Sequence, residues 1–518
     1  MNIAPLGLAA APLPAGVPAQ RTPVSSGQLL TASRLAWENG GRLIALWGSD
    51  ERDRHRGFCI RAALEDADGI TVLEHTLPDD GALFPDLTSI FPAANRMQRA
   101  TYDLLGVASE SDDQRPWLWM ASWPIDQFPL RRDFVASAAW MPGQEEYDFV
   151  RVEGDGVHEI PVGPVHAGII EPGHFRFQVV GEKVLRLEER LGYAHKGIEK
   201  RFESLSINDG ARLAGRVCGD STVAYAWAYA QAAECMSHMR VPPRAIWLRA
   251  LCLERERLAN HLGDLGALGN DGGFAFGLAQ FSRLREDVLR LNAAAFGHRL
   301  LMDIVVPGGV AYDLALEHVH LMHDEADRVA RDVRQLREIY DEHAGLQDRF
   351  RSAGCVTPEL AAKLGVLGLA GRASGRARDL RCDFPCPPYD LLHVRMAQQT
   401  AGDVWARVAV RFDETLESTR LIATITAALL DPATSGDIHV APEDVPADRL
   451  ALGYIEGWRG PVLVALESSA DGTIRRCHPQ DPSWCNWPAV EHAIIGNIVP
   501  DFPLINKSFN LSYSGHDL

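Results

Sequence analysis

Cysteine has the widest chemical reach of any residue type in this chain, and its placement restricts what it can do. Nine cysteines lie scattered through 518 residues. An odd, widely spaced set does not form a disulfide framework, so free thiols in a reducing compartment are expected. Cys382 and Cys386 make one C-x-x-x-C pair beside Pro385 and Pro387. A structural zinc site needs a second such pair, and none follows at zinc-finger spacing. Cys477 and Cys485 flank Asp481-Pro482-Ser483 and read as free thiols. Cys218 stands in Arg216-Val217-Cys218-Gly219-Asp220-Ser221. A lone thiol of this kind is expected to be a small buried side chain, because a soft metal centre takes several thiolates.

The elements that must position these residues fall into two parts. From about Ser26 to Phe134, short strand-like runs such as Arg42-Leu43-Ile44-Ala45-Leu46-Trp47 and Gly69-Ile70-Thr71-Val72-Leu73 lie between turn formers and predict a small α/β unit. Phe84-Pro85-Asp86-Leu87, Thr101-Tyr102-Asp103-Leu104-Leu105 and Phe128-Pro129-Leu130-Arg131-Arg132-Asp133-Phe134 close it. A polar linker, Pro142 to Asp155, leads to a turn and two strands ending near Leu187. From Asp209 to Ala433 the apolar spacing is mainly helical. Gly453 to Glu467 predicts a hairpin with a turn at Asp471-Gly472, and Asp501 to Leu518 reads as a short polar tail. The fold class is therefore α+β, with a disordered leader at 1–25, a first domain at 26–140 and a second at 150–518.

Charge and hydropathy exclude several functions. The 51 basic and 69 acidic residues give a net charge of −18, which opposes binding to nucleic acid or to an anionic bilayer. No apolar run reaches the roughly 18 to 20 residues of a membrane-spanning helix, so membrane contact is expected through partners only. The Ala/Pro/Leu-rich start has no basic region before its apolar part and does not read as a secretory signal.

In order and content, the motifs of the first part resemble the 30-kDa-type subunit of respiratory complex I. Gln98-Arg99 stands where that family usually has Glu-Arg. The second part is similar to the large subunit of group 4 nickel-iron hydrogenases and to the 49-kDa-type subunit of complex I. The resemblance rests on Arg216 to Ser221, Gly371-Arg372-Ala373-Ser374-Gly375 with Asp379-Leu380-Arg381, and Gly402-Asp403 with Arg407. It extends to Glu456-Gly457 with Arg459-Gly460, Pro482-Ser483 with Asn486-Trp487, and Lys507 to Gly515.

The resemblance implies specific roles. Four thiolates in two Cys-x-x-Cys pairs hold nickel and iron in the hydrogenases. Here Cys218 is the one that remains, with Ser221, Ser512 and Gly515 at the other three positions. Serine is a hard, poorly ionised ligand and glycine offers none, so no nickel-iron centre and no hydrogen activation are expected. The quinone-binding histidine and tyrosine of complex I are missing too, with Gly219 at the tyrosine position. Glu171 falls where the hydrogenases relay protons, and Asp271 where complex I places an acid in the same cavity. Arg216 and His261 fall near a partner's terminal iron-sulfur cluster, where cationic donors stabilise the reduced state.

These roles describe a subunit of a membrane-associated, complex I-like or energy-converting-hydrogenase-related oxidoreductase that couples electron transfer to ion translocation. Its implied partners are a small iron-sulfur subunit and membrane antiporter-like subunits. The implied location is cytoplasmic, peripheral on the inner membrane. The chain is not expected to bind a cofactor of its own, and without a glycine-rich nucleotide fingerprint any NADH would bind another subunit. The alternatives are a non-catalytic scaffold and an NADH-quinone oxidoreductase component with an altered quinone site.

Overall fold

The computed structural model describes residues 7–518 apart from 79–80, 121–122, 125, 138–140, 142, 144–146, 168–169 and 442–444. Parts of the leader and of the linker thus lie outside the described residues.

The first part is a five-stranded sheet with two helices. In space the strands run Ala11–Pro12, Ala19–Pro23, Gly69–Leu77, Phe58–Asp66, Arg42–Asp50. Ala19–Pro23 pairs parallel to Gly69–Leu77 and the remaining neighbours are antiparallel. Helix Ser26–Glu38 starts on a reciprocal cap, in which Ser25 Oγ accepts from the Gln28 amide and Gln28 Oε1 accepts from the Ser25 amide. The second helix, Ala94–Leu105, packs on Arg42–Asp50.

The disordered leader expected at the start is corrected from Ala11 onward, where two strands form. Leu13 and Val17 are buried in an apolar seam with Ile44 and Trp47 of the sheet and Leu452, Tyr454 and Leu463 of the second part. A segment with two apolar side chains and a sheet edge to pair with gains enough burial to order, which composition alone does not reveal.

The second part is a helical body with sheets at its edges, as the α+β reading expects. Its long helices are Thr222–Ser237, Pro243–Asp271, Ala275–Phe296, Leu316–Glu342 and Val404–Leu430. One antiparallel sheet, Val157–Val162, His174–Val180 and Lys183–Arg190, precedes them. Another, Leu450–Glu456, Pro461–Ser468 and Ile474–Gln480, follows and contains the expected hairpin plus a third strand. Gly453 lets this sheet press on helix Thr222–Ser237, since a Cβ there would lie 1.6 Å from the Ala228 carbonyl oxygen.

The polar tail is also corrected. Residues 502–518 form helices Phe502–Phe509 and Ser514–Asp517, and Phe509, His516, Asp517 and Leu518 are all buried. His516 stacks on Trp484 with ring centroids 4.1 Å apart and accepts from Trp117 Nε1 at 3.3 Å. Indole only donates, so the proton of this neutral histidine is on Nδ1, directed at Asp517 Oδ1 2.8 Å away.

Candidate functional site

Three segments distant in sequence meet beneath the outer surface. The turn Gly219–Ser221 carries Cys218 at its start and feeds helix Thr222–Ser237. The loop after strand Leu450–Glu456 carries Trp458 and Arg459, and the turn between the last two helices carries Asn510 to Tyr513. Asn510 closes helix Phe502–Phe509 in the left-handed region at φ 45°, which turns the chain back toward Cys218.

Arg459 organises the charges there. Its Nη1 and Nη2 donate to Asp220 Oδ1 and Oδ2 at 2.6 and 2.7 Å, its Nε donates to the Asn510 carbonyl at 2.6 Å, and Nη1 also reaches Ser221 Oγ at 3.1 Å. Although burial opposes ionisation of Asp220, the guanidinium and its hydrogen bonds lower the Asp220 pKa to about 2. Cys218 Sγ lies 3.0 Å from Asp220 Oδ1 and 3.1 Å from Ser512 Oγ. Burial and the Asp220 charge push its pKa well above the usual thiol value, so it stays protonated and donates to Asp220. Tyr225 donates to Asp481 Oδ2 at 2.6 Å, and Ser512 Oγ accepts from the Gly515 amide at 2.7 Å.

The structure does not join the four residues singled out from sequence. Glu171 lies at the exposed rim, where Oε2 accepts from the Ser514 amide at 2.9 Å and desolvation raises its pKa. Lys196 faces it and donates to the Ser514 carbonyl at 3.1 Å. Asp271 is exposed at the end of helix Pro243–Asp271, and its pKa is likewise raised by desolvation. Arg216 is partly exposed and grips Asp303 through two hydrogen bonds of 2.6 and 2.7 Å. His261 is fully buried, with Nε2 at 2.9 Å from Glu414 Oε2 and Nδ1 unpartnered among the described residues. Its ring meets Trp458 edge-on, and Trp458 Nε1 donates to the Asp220 carbonyl.

Sequence reasoning gave no role to Asp220, Arg459, Tyr225, Asp481 or Glu256. Glu256 is a buried carboxyl whose oxygens accept from the Val223 and Ala224 amides at 2.6 and 3.2 Å, capping helix Thr222–Ser237 from the neighbouring helix. Burial moves its pKa up to about 8. The sequence motifs containing Asp220, Arg459 and Asp481 pointed toward parts of this, and nothing in their spacing tells that Asp220 and Arg459 pair.

Comparison with known proteins places this geometry. The family model of the 30 Kd subunit of respiratory-chain NADH dehydrogenase matches residues 23–139, and that of the 49 Kd subunit matches residues 271–447. Formate hydrogenlyase subunit 5 of Escherichia coli (strain K12) is 31% identical over 496 residues, covering 93% of this chain and 86% of that protein. Hydrogenase-4 component G of the same organism is 30% identical over 93% of this chain and 85% of its own length. The chain belongs to this fused 30-kDa/49-kDa-type family of hydrogenase large-subunit-like proteins. A solved chain of the membrane-bound sulfane sulfur reductase, an archaeal respiratory membrane complex, shares the fold with a TM-score of 0.66. It is 23% identical and covers 70% of this chain and 99% of that one.

Within that family, the residues at the four ligand positions do not fit a nickel-iron centre. One is a protonated thiol, two are hydroxyls, and a Cβ on Gly515 would lie 2.5 Å from Asp481 Oδ2 and 2.8 Å from Ser512 Oγ. The Arg459 guanidinium reaches three of the neighbouring groups, with Nη1 3.8 Å from Cys218 Sγ. Among the described residues, no group of three or more His, Cys, Asp or Glu side chains is arranged to hold a metal ion. This family member holds a fixed ion pair and a protonated thiol at the site, and it lacks a soft donor set.

Proposed function

We propose that the chain is a non-hydrogenase subunit of a membrane-associated redox complex, seated against an iron-sulfur partner subunit. It would couple the redox change of that cluster to ion translocation by antiporter-like membrane subunits. The observation that carries this reading is the Arg459–Asp220 ion pair lodged beside Cys218 in a chain that otherwise keeps the family's architecture. Family membership supports partner subunits. The described helices include none long and apolar enough to cross a membrane, which fits membrane contact made by those partners.

In this reading Arg216 faces the partner from the segment just before Cys218, and His261 acts from the buried side. Glu171 at the rim and Asp271 at the end of helix Pro243–Asp271 handle protons separately, and desolvation raises the pKa of each. The test is purification of the native complex through a tag on this chain. Iron-sulfur protein in equal amount, without stoichiometric nickel, is the expected result. A chain that purifies without any iron-sulfur partner, or with one nickel per chain, ends the proposal. Most polar groups of the old site bond to one another, which favours a scaffold as the second reading. Glu171→Gln and Asp271→Asn separate the two, since turnover of the complex survives both changes only in a scaffold.

A further inference from the structure

A cavity of about 750 Å³ opens where the first part of the chain meets the segment Gly192 to Arg201. One wall is apolar and aromatic, formed by Met120, Trp123 and Phe134. The other presents Tyr193 together with Lys196, Lys200 and Arg201. The chain carries a net charge of −18, yet among the described residues no carboxylate lines this cavity. Two of the cations have partners outside it, Lys200 with Glu203 at 2.8 Å and Lys196 with Ser514 and the nearby Glu171. Arg201 is exposed and uses Nε on the Lys196 carbonyl at 2.8 Å, with no carboxylate partner among the described residues. The buried Nε1 of Trp123 also has no acceptor among the described residues.

A concave site of this size, mostly apolar with a few convergent polar groups, is the form small-molecule sites take. Its aromatic wall favours a flat or aliphatic body, and its cationic edge a negative head. We propose that the cavity binds a small amphipathic anion, with the acidic head against Arg201 and the apolar body along Trp123 and Phe134. Bound there, the ligand would touch residues that hold the short helix Ser514–Asp517. His195 in the same wall hydrogen-bonds the Asp517 carbonyl at 2.7 Å, and Lys196 holds the Ser514 carbonyl. The inference stands apart from the proposed redox function and survives if that function fails.

The experiment is a fluorescence titration of the purified full chain with anilinonaphthalene sulfonate, set against phenylnaphthylamine, which has the same rings and no charge. One saturable site for the sulfonate is expected, tighter than for the neutral dye and competed by monomeric dodecanoate. Arg201→Gln should weaken the sulfonate about three- to fivefold, the scale of a partly exposed ion pair, and leave the neutral dye unchanged. Trp123→Ala should weaken both dyes about tenfold through the lost aromatic wall. Equal affinity for the two dyes, or an unchanged sulfonate affinity in Arg201→Gln with its melting curve intact, overturns the proposal. So does displacement of the dye by phosphatidylglycerol vesicles but not by dodecanoate, which would make the surface a membrane contact instead.

Discussion

Burial and the neighbouring Asp220 carboxylate both oppose ionisation of Cys218, and Arg459 is committed to that carboxylate. The ion pair therefore keeps Asp220 charged beside a thiol that burial, the larger effect, holds protonated. Replacing Arg459 by Gln leaves Asp220 with Cys218 and Ser221 as its remaining side-chain donors. The Asp220 side chain keeps 36% exposure, so water recovers part of the loss, and about 2 kcal/mol of destabilisation at pH 7 is expected. The sign with pH follows from the lowered pKa. Stability from this pair is complete above the unfolded value near 4 and vanishes as pH falls toward about 2, where Asp220 protonates in the folded state. Urea unfolding of the wild type and of Arg459→Gln should differ at pH 7 and converge between pH 4 and 2. A difference that stays constant across that range would place the effect in packing.

At the scale of elements, strands and hairpins were legible because their signals are local. Arg42 to Trp47, Gly69 to Leu73 and Gly453 to Glu467 are short, mostly apolar runs with turn formers beside or within them, and all three are strands or a hairpin in the structure. The tail was misread because its burial depends on Trp117, Trp484 and Ala194, up to 399 residues away. The site was half legible for the same reason, since Cys218 and Ser512 were flagged while Arg459 pairs with Asp220 across 239 residues. The short helix Ser514–Asp517 gives the sharpest test of that packing. Glycine to alanine in a helix usually stabilises by about 1 kcal/mol. At Gly515 the added methyl would lie 2.5 Å from Asp481 Oδ2 and 2.9 Å from the Tyr225 hydroxyl, which hydrogen-bond each other. Gly515→Ala should therefore destabilise by about 1 to 3 kcal/mol in urea unfolding, the cost of overpacking a core. A stabilised variant would mean that this pocket is looser than its contacts imply.

The molecule as a whole is held together by a seam between the first sheet and the last, and the seam mixes apolar packing with buried charge. Leu13, Trp47 and Val72 meet Leu452, Tyr454 and Ala465, while the Trp47 and His478 rings stack at 5.3 Å. Tyr454 donates to Glu65, and Arg475 bonds Asp53 through two nitrogens at 2.7 Å and Glu51 at 3.0 Å. Arg475 belongs to the last sheet and these two acids to the first part, so this one side chain ties the two, with Glu467 of its own sheet a third acid at 3.5 Å. Removing it leaves Glu51, which is buried, with Arg54 as its remaining close ion-pair partner. Arg475→Ala should cost about 3 kcal/mol. The more telling readout is cooperativity. In the wild type, near-ultraviolet signals from the seam tryptophans and far-ultraviolet signals from the helical body should unfold in one coincident transition. In Arg475→Ala the seam signal should be lost first, splitting the curve. If the wild-type transitions already separate, neither the seam nor the Trp117–His516 hydrogen bond couples the two parts.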